Sequence, residues 1–122
     1  MALENEYCRV EGAPSDPSLS HDATLWIGTM FPGDDADELM AFYGVEARKA
    51  INLARADFMS QAGGLLASRD RPARPIGLLH CDDTSAPDRV AEHLIDLGIP
   101  AVIGCSTSKE VVTLASQQFI PN

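Results

Sequence analysis

Cations are scarce in this 122-residue sequence: nine Lys and Arg stand against eighteen Asp and Glu, for a formal net charge of −9. Proteins that track a phosphate backbone gather Lys and Arg on one face, so nucleic acid is not an expected partner. Long apolar runs are also missing, and none approaches the roughly 20 residues that a membrane-spanning helix needs. The start MALENEY lacks the basic and then apolar run of a secretory signal, which fits either a cytoplasmic protein or a chain cut from a longer precursor. The three cysteines, Cys8, Cys81 and Cys105, come without a CxxC or a Cys/His ligand spacing, so no metal site and no thioredoxin-type motif is expected. No GxGxxG follows the first apolar run in WIGTMFPGDD, and no dinucleotide or other cofactor is expected.

What is present fits one domain. Residues 1–23, broken by Pro14 and Pro17 in EGAPSDPSLSHD, are polar and are expected to form a tail or linker. The rest, 24–122, reads as an α/β lobe. Three nearly continuous apolar runs, TLWIGTMF, PIGLLHC and PAVIGC, end near Phe31, Cys81 and Cys105 and read as strands covered on both faces. Between them the period is helical. YGVEARKAINLARADFMSQAGG sets Ala47, Ile51, Ala54 and Phe58 on one stripe, with Glu46, Arg48, Arg55 and Asp57 on the other side. Gly63 and Gly64 end it as a left-handed cap would. SAPDRVAEHLIDLG takes Ser85 as N-cap and Pro87 in its first turn, turns Val90, Leu94 and Leu97 inward, and stops at Gly98. A third helix opens at Thr107, where TSKE has capping-box spacing through Glu110; it carries Val111, Ala115 and Phe119 on one stripe and stops at Pro121.

The order βαβαβα predicts a parallel sheet with right-handed crossovers and helices on both faces, a three-layer α/β fold. Ligands collect at the carboxyl ends of such strands. Ser106, Thr107 and Ser108, in AVIGCSTSKEVV, fall at one of those ends, where hydroxyls and free backbone N–H groups suit a carboxylate or another small anion. Capping of the third helix by Thr107 or Ser108 accounts for the same residues. Three strands leave two sheet edges to be covered, which predicts an incomplete lobe or a homo-oligomer.

The stretch from Leu25 to Asn122 resembles the first part of the amino-terminal lobe of type I periplasmic binding proteins, the leucine/isoleucine/valine-binding group. WIGTMFP is similar to the family's opening strand and its Pro-ended loop, and FYG at Phe42 to Gly44 to the aromatic-Gly that precedes its first helix. INLARADFMSQAGG resembles the helix ending in Ala-Gly-Gly; HCDDTSAPDRVAEHLIDLGIPAVIG resembles the second strand with its paired aspartates, the second helix and the third strand. The resemblance implies a partial flavodoxin-like lobe of a receptor rather than an enzyme. Such a receptor closes by hinge motion on an amino acid or similar small solute, outside the cytoplasm, and presents it to an ABC-type permease. It also implies ligand contacts from Thr107 and Ser108, with Ser106 nearby, and an aromatic contact from Tyr43. Lys109 stands where the family has a small or polar residue, so the implied solute is not necessarily a branched-chain amino acid.

Some members of the family join the loops after the second and third strands by a disulfide, and the resemblance therefore implies a disulfide here, which an extracytoplasmic setting permits. Cys81 and Cys105 lie on or beside those loops, but strand ends flanking a central strand are about 9 to 10 Å apart, too far to bridge. Cys8 is then a partner for either. Two other readings compete. GLLHCDD followed by IPAVIGCS is similar to the acidic strand end of a response-regulator receiver domain, where Asp82 and Asp83 would bind Mg²⁺ beside a phosphorylatable aspartate on another strand, although that aspartate is missing here, where the third strand ends in Gly104-Cys105. An enzyme would use Cys105, at a helix start, with His80, His93 or His21 as base, and no spacing places any of them beside it.

Overall fold

The computed structural model describes residues 2–11, 23–66, 73–105 and 107–120. The elements in chain order are β1 (Cys8–Val10), β2 (Leu25–Phe31), α1 (Glu38–Ala62), β3 (Ile76–Asp82), α2 (Pro87–Asp96), β4 (Val102–Gly104) and α3 (Ser108–Leu114), the last continued by a wider π-helical turn over Ala115–Phe119. The four strands lie in the order β1-β3-β2-β4. β2 is central and runs parallel to β3 and β4, whereas β1 pairs antiparallel with β3. The fold is α/β, and the sheet is mixed where a purely parallel one was expected.

The correction comes from β1, which lies inside the segment read as a tail. Three devices hold it, and none shows as local strand pattern. Cys8 and Cys81 are register partners and are joined by a disulfide with their Cα atoms 4.0 Å apart. The Asn5 side-chain oxygen accepts from the Tyr7 and Cys8 N–H groups, both at 2.9 Å, which turns the chain into the strand. On α2, His93 Nε2 bonds the Leu3 carbonyl at 2.7 Å. Residues 12–22, with His21, lie outside the described residues, as does Pro121.

Alternation along the strands separates two faces that are glued differently. Gly28 on β2 faces α2, so closely that a Cβ there would come 2.9 Å from a Leu94 methyl. This side carries the apolar core: Met30, Leu79, Val90, Ala91, Leu94 and Leu114 are at most 4 % exposed. Val90 and Leu94 are inward as their spacing predicts. Pro87 opens α2, but the N-cap is Ala86, without a side-chain bond, and not Ser85.

The opposite face meets α1 through polar groups. α1 begins at Glu38, capped by the Asp37 carboxylate, which accepts from the Met40 N–H at 3.1 Å. It ends at Gly63 (φ 72°), whose N–H reaches the Met59 carbonyl, the left-handed stop its sequence predicts. Tyr43 is therefore inside the helix and not in a loop before it. The expected stripe is also out of phase: Arg48 Nη1 donates to the Pro32 carbonyl at 2.8 Å and Arg55 Nε to the Ile76 carbonyl at 2.6 Å, both toward the sheet. Asn52 meets His80 on β3. Leu39, Phe42 and Leu53 face outward, 75, 63 and 72 % exposed, and Gly44 is the sole buried residue of α1. The physical reason is the sheet surface itself. The open carbonyls of Pro32 and Ile76 need donors and the His80 Nε2–H needs an acceptor, and an unpartnered polar group there would cost about 1–3 kcal/mol, so polar side chains of α1 turn toward the sheet.

Candidate functional site

The loops that leave β2, β3 and β4 converge at the carboxyl end of the sheet around a cavity of about 500 Å³. Its β2 side is Pro32, Ala36, Asp37 and Met40, and its β3 side Asp83, Thr84, Pro87 and Asp88. α3 closes it with Thr107, Lys109, Glu110, Thr113 and Leu114. The β2 loop leads to a helix on one face of the sheet and the β4 loop to a helix on the other, and a crevice between such diverging loops is where open α/β sheets hold ligands.

The carboxyl ends are fastened to one another by Asp82. Its Oδ1 accepts from the Gly33 N–H and from the Thr84 N–H, both at 2.9 Å, tying the loop after β3 to the loop after β2. Burial raises the pKa of this carboxyl, but hydrogen bonds from Thr84 and Gly33 and the nearby Arg48 charge outweigh it and hold it below its ordinary value. Asp82 is thus a brace. Asp83, beside it, is buried and lines the cavity.

The four residues expected to bind a ligand are not all brought together. Thr107 lines the cavity; it is also the N-cap of α3, its Oγ1 accepting from the Glu110 N–H at 3.2 Å. A hydroxyl that accepts one bond retains a proton to donate, so the capping role and a ligand role are compatible. Ser108 is exposed and is not among the lining residues. Tyr43 is 44 % exposed, packs edge-on against Phe31 with ring centroids 5.9 Å apart, and likewise does not line the cavity. Its displacement follows from the early start of α1, which carries the aromatic a turn and a half past the loop. Ser106 lies outside the described residues. Lys109, singled out by its charge, does line the cavity.

Pro32, Met40 and Asp83 were not singled out as ligand residues by sequence. Asp37 carried a signal: DADE has an N-cap aspartate followed by an acidic first turn, and recognising it would have ended the loop at Asp37, ahead of Tyr43. The lining as a whole sets four carboxylates, Asp37, Asp83, Asp88 and Glu110, against the single ammonium of Lys109. Among the described residues no group of three or more His, Cys, Asp or Glu is arranged to hold a metal ion.

Cys105, the free thiol at the end of β4, is half-buried. Burial, together with the charges of Glu110 and Asp83, raises its pKa to about 11, so it stays protonated at neutral pH. The described histidines are engaged elsewhere: Thr29 Oγ1 contacts His80 Nδ1 at 2.6 Å and Asn52 Oδ1 contacts Nε2 at 2.7 Å, while His93 holds Leu3. Since Asn52 Oδ1 can only accept, Nε2 carries the proton, and the Thr29 hydroxyl donates to Nδ1. No family model matches this chain, and comparison with curated proteins and with solved structures returns no match.

Proposed function

We propose that this chain is the solute-binding part of an extracytoplasmic receptor, a partial flavodoxin-like lobe of the type I periplasmic-binding kind that takes an amino acid or similar small zwitterion for ABC-type uptake. The observation that carries this reading is the cavity at the carboxyl ends of β2, β3 and β4, with Thr107 and Lys109 on one wall and carboxylates on the others. A zwitterion satisfies both signs: its carboxylate meets Lys109 and the Thr107 hydroxyl, and its ammonium meets Asp37, Asp83 or Asp88. Pro32, Met40 and Leu114 offer apolar surface to the part of the solute between its charges or beyond them. Closure of a second lobe would desolvate these charges and strengthen them. The Cys8–Cys81 disulfide supports the compartment, because such bonds form and persist in oxidising surroundings.

The test is a ¹⁵N-NMR titration of the oxidised chain with the twenty amino acids at millimolar concentration. At least one should shift the amides of Asp83, Thr107 and Lys109, and Lys109→Met should weaken it about tenfold, the loss of one charge-assisted hydrogen bond. Absence of shifts with all twenty, or equal binding by Lys109→Met, would overturn the reading.

A further inference from the structure

The cavity at the carboxyl ends of the strands carries more negative charge than a zwitterion answers. Asp37, Asp83, Asp88 and Glu110 line it against Lys109, a formal −3. The fold offsets part of this. α1 and α2 both begin at the cavity wall, with Asp37 the N-cap of the one and Pro87 the first residue of the other, and each helix start carries about +0.5 of a charge. About −2 remains. Cys105, at the end of β4, registers the same field: after burial, the charges of Glu110 and Asp83 are what raise its pKa to about 11. A neutral zwitterion leaves the balance unchanged, an acidic amino acid takes it to about −3, and a basic one relieves it to about −1.

The placing of the carboxylates narrows the kind of cation. Among the described residues no three are gathered to hold a metal ion. They are spread instead over three walls, Asp37 on the β2 side, Asp83 and Asp88 on the β3 side and Glu110 on α3, which suits an extended molecule with charges set apart and not a point charge. Asp37 can receive one of them: its Oδ1 accepts from the Met40 N–H at 3.1 Å, and a carboxylate has a second oxygen with lone pairs of its own. Pro32 and Met40 share its wall, and the methylene stem of a lysine or arginine lies well on such apolar surface while its head meets a charge. A diamine would answer the carboxylates but would bring no anion to Lys109 and Thr107.

We infer that the solute is a basic amino acid of the lysine or arginine type, with its carboxylate on Thr107 and Lys109, its α-ammonium on the wall of Asp83 and Asp88, its stem along Pro32 and Met40, and its side-chain cation on Asp37. This rests on the reading of the cavity as a solute site and goes beyond it in choosing among solutes.

Amide titrations of the oxidised chain by ¹⁵N-NMR at low ionic strength test it with solutes that differ by one charged group: lysine against norleucine, arginine against citrulline, and lysine against cadaverine, which lacks the carboxylate. Lysine and arginine should bind about fivefold more tightly than norleucine and citrulline, the upper end for an exposed ion pair, since Asp37 meets solvent. Cadaverine should bind more weakly than lysine. Asp37→Asn, which keeps a capping side chain, should bring lysine down to norleucine and arginine down to citrulline, with the two neutral-headed solutes unchanged. Norleucine or citrulline binding as tightly as its basic counterpart, cadaverine binding as tightly as lysine, or a preference that survives Asp37→Asn would overturn the inference; shifts of the Asp83, Thr107 and Lys109 amides with the neutral-headed solutes would then still leave a solute site. If none of these solutes and none of the twenty amino acids moves those amides, the solute site falls and this inference with it.

Discussion

Removing the Cys8–Cys81 disulfide should cost this chain a large share of its stability. The cross-link spans 73 residues of sequence. A closed loop of that length withdraws about 15 cal/mol/K from the unfolded ensemble, about 4.4 kcal/mol at 25 °C, against a total of roughly 5–15 kcal/mol for a domain of this size. Unfolding entropy near 2.1 cal/mol/K per residue gives 122 residues about 260 cal/mol/K at the midpoint. Each kcal/mol is then worth about 4 °C, and the expected fall in Tm is about 17 °C. Urea melts of the native chain, of the chain in reductant, and of Cys8→Ala/Cys81→Ala provide the measurement. Cys105→Ser, which leaves the cross-link intact, controls for thiol exchange and should melt with the wild type. A difference below about 1 kcal/mol between oxidised and reduced chains, or three titratable thiols in the native protein, would refute the reasoning.

Thr107→Ala should destabilise by about 1 kcal/mol through loss of the α3 cap, while Ser108→Ala, with no capping bond, should stay within a few tenths; equal costs would mean that the cap is elsewhere. Gly44→Ala should lower stability, even though alanine is the better helix former by about 1 kcal/mol, because its Cβ would lie 1.9 Å from the Pro32 carbonyl oxygen; a rise in urea midpoint would show that α1 sits farther from the loop. His80 is buried and beside the Arg48 charge, which together lower its pKa from 6.5 to about 4. The unfolded chain therefore binds this proton first, so the contribution of neutral His80 is complete above about pH 6.5 and is lost as pH falls toward 4; an NMR titration of His80 with a midpoint above 6 would contradict it.

Local signals in the sequence were sufficient for the elements whose partners are apolar or adjacent. Val90 and Leu94 reveal the inner face of α2 by their spacing alone, and Thr107 reveals its cap because the acceptor and donor are three residues apart. β1 was hidden because what makes it a strand is a bond to Cys81, far along the chain, and a turn made by Asn5. α1 was misphased for a related reason: a periodicity argument turns apolar residues inward, and it cannot register that the receiving surface is Thr29, His80 and free carbonyls. Tyr43 left the site for a different reason: the resemblance put it in a loop, whereas α1 already starts at Glu38. Lys109 and Thr107 could be placed at the cavity since they adjoin the end of a recognisable strand, whereas Pro32 and Asp83 become its walls only when loops from different strands are brought side by side.

The unequal faces of the sheet bear on how the cavity opens. Its Pro32-to-Met40 wall leads into α1, which docks by hydrogen bonds donated by Arg48 and Arg55 and one accepted by Asn52, and buries only Gly44. Its Asp83-to-Leu114 wall belongs to the side of α2 and α3, with the apolar core behind it. Water replaces a hydrogen-bonding partner at little net cost, about 0.5–1.5 kcal/mol per bond, whereas exposing buried side chains such as Leu94 and Val90 costs about 1.5–3 kcal/mol each. Opening on the α1 side is therefore the cheaper motion, and local stability should follow the buried apolar contacts. Native-state hydrogen exchange should find the central amides of α1 less protected than those of β3 and α2, by at least tenfold. Equal protection across α1, β3 and α2 would mean that the polar docking of α1 holds as firmly as the core, and that the cavity has no softer wall.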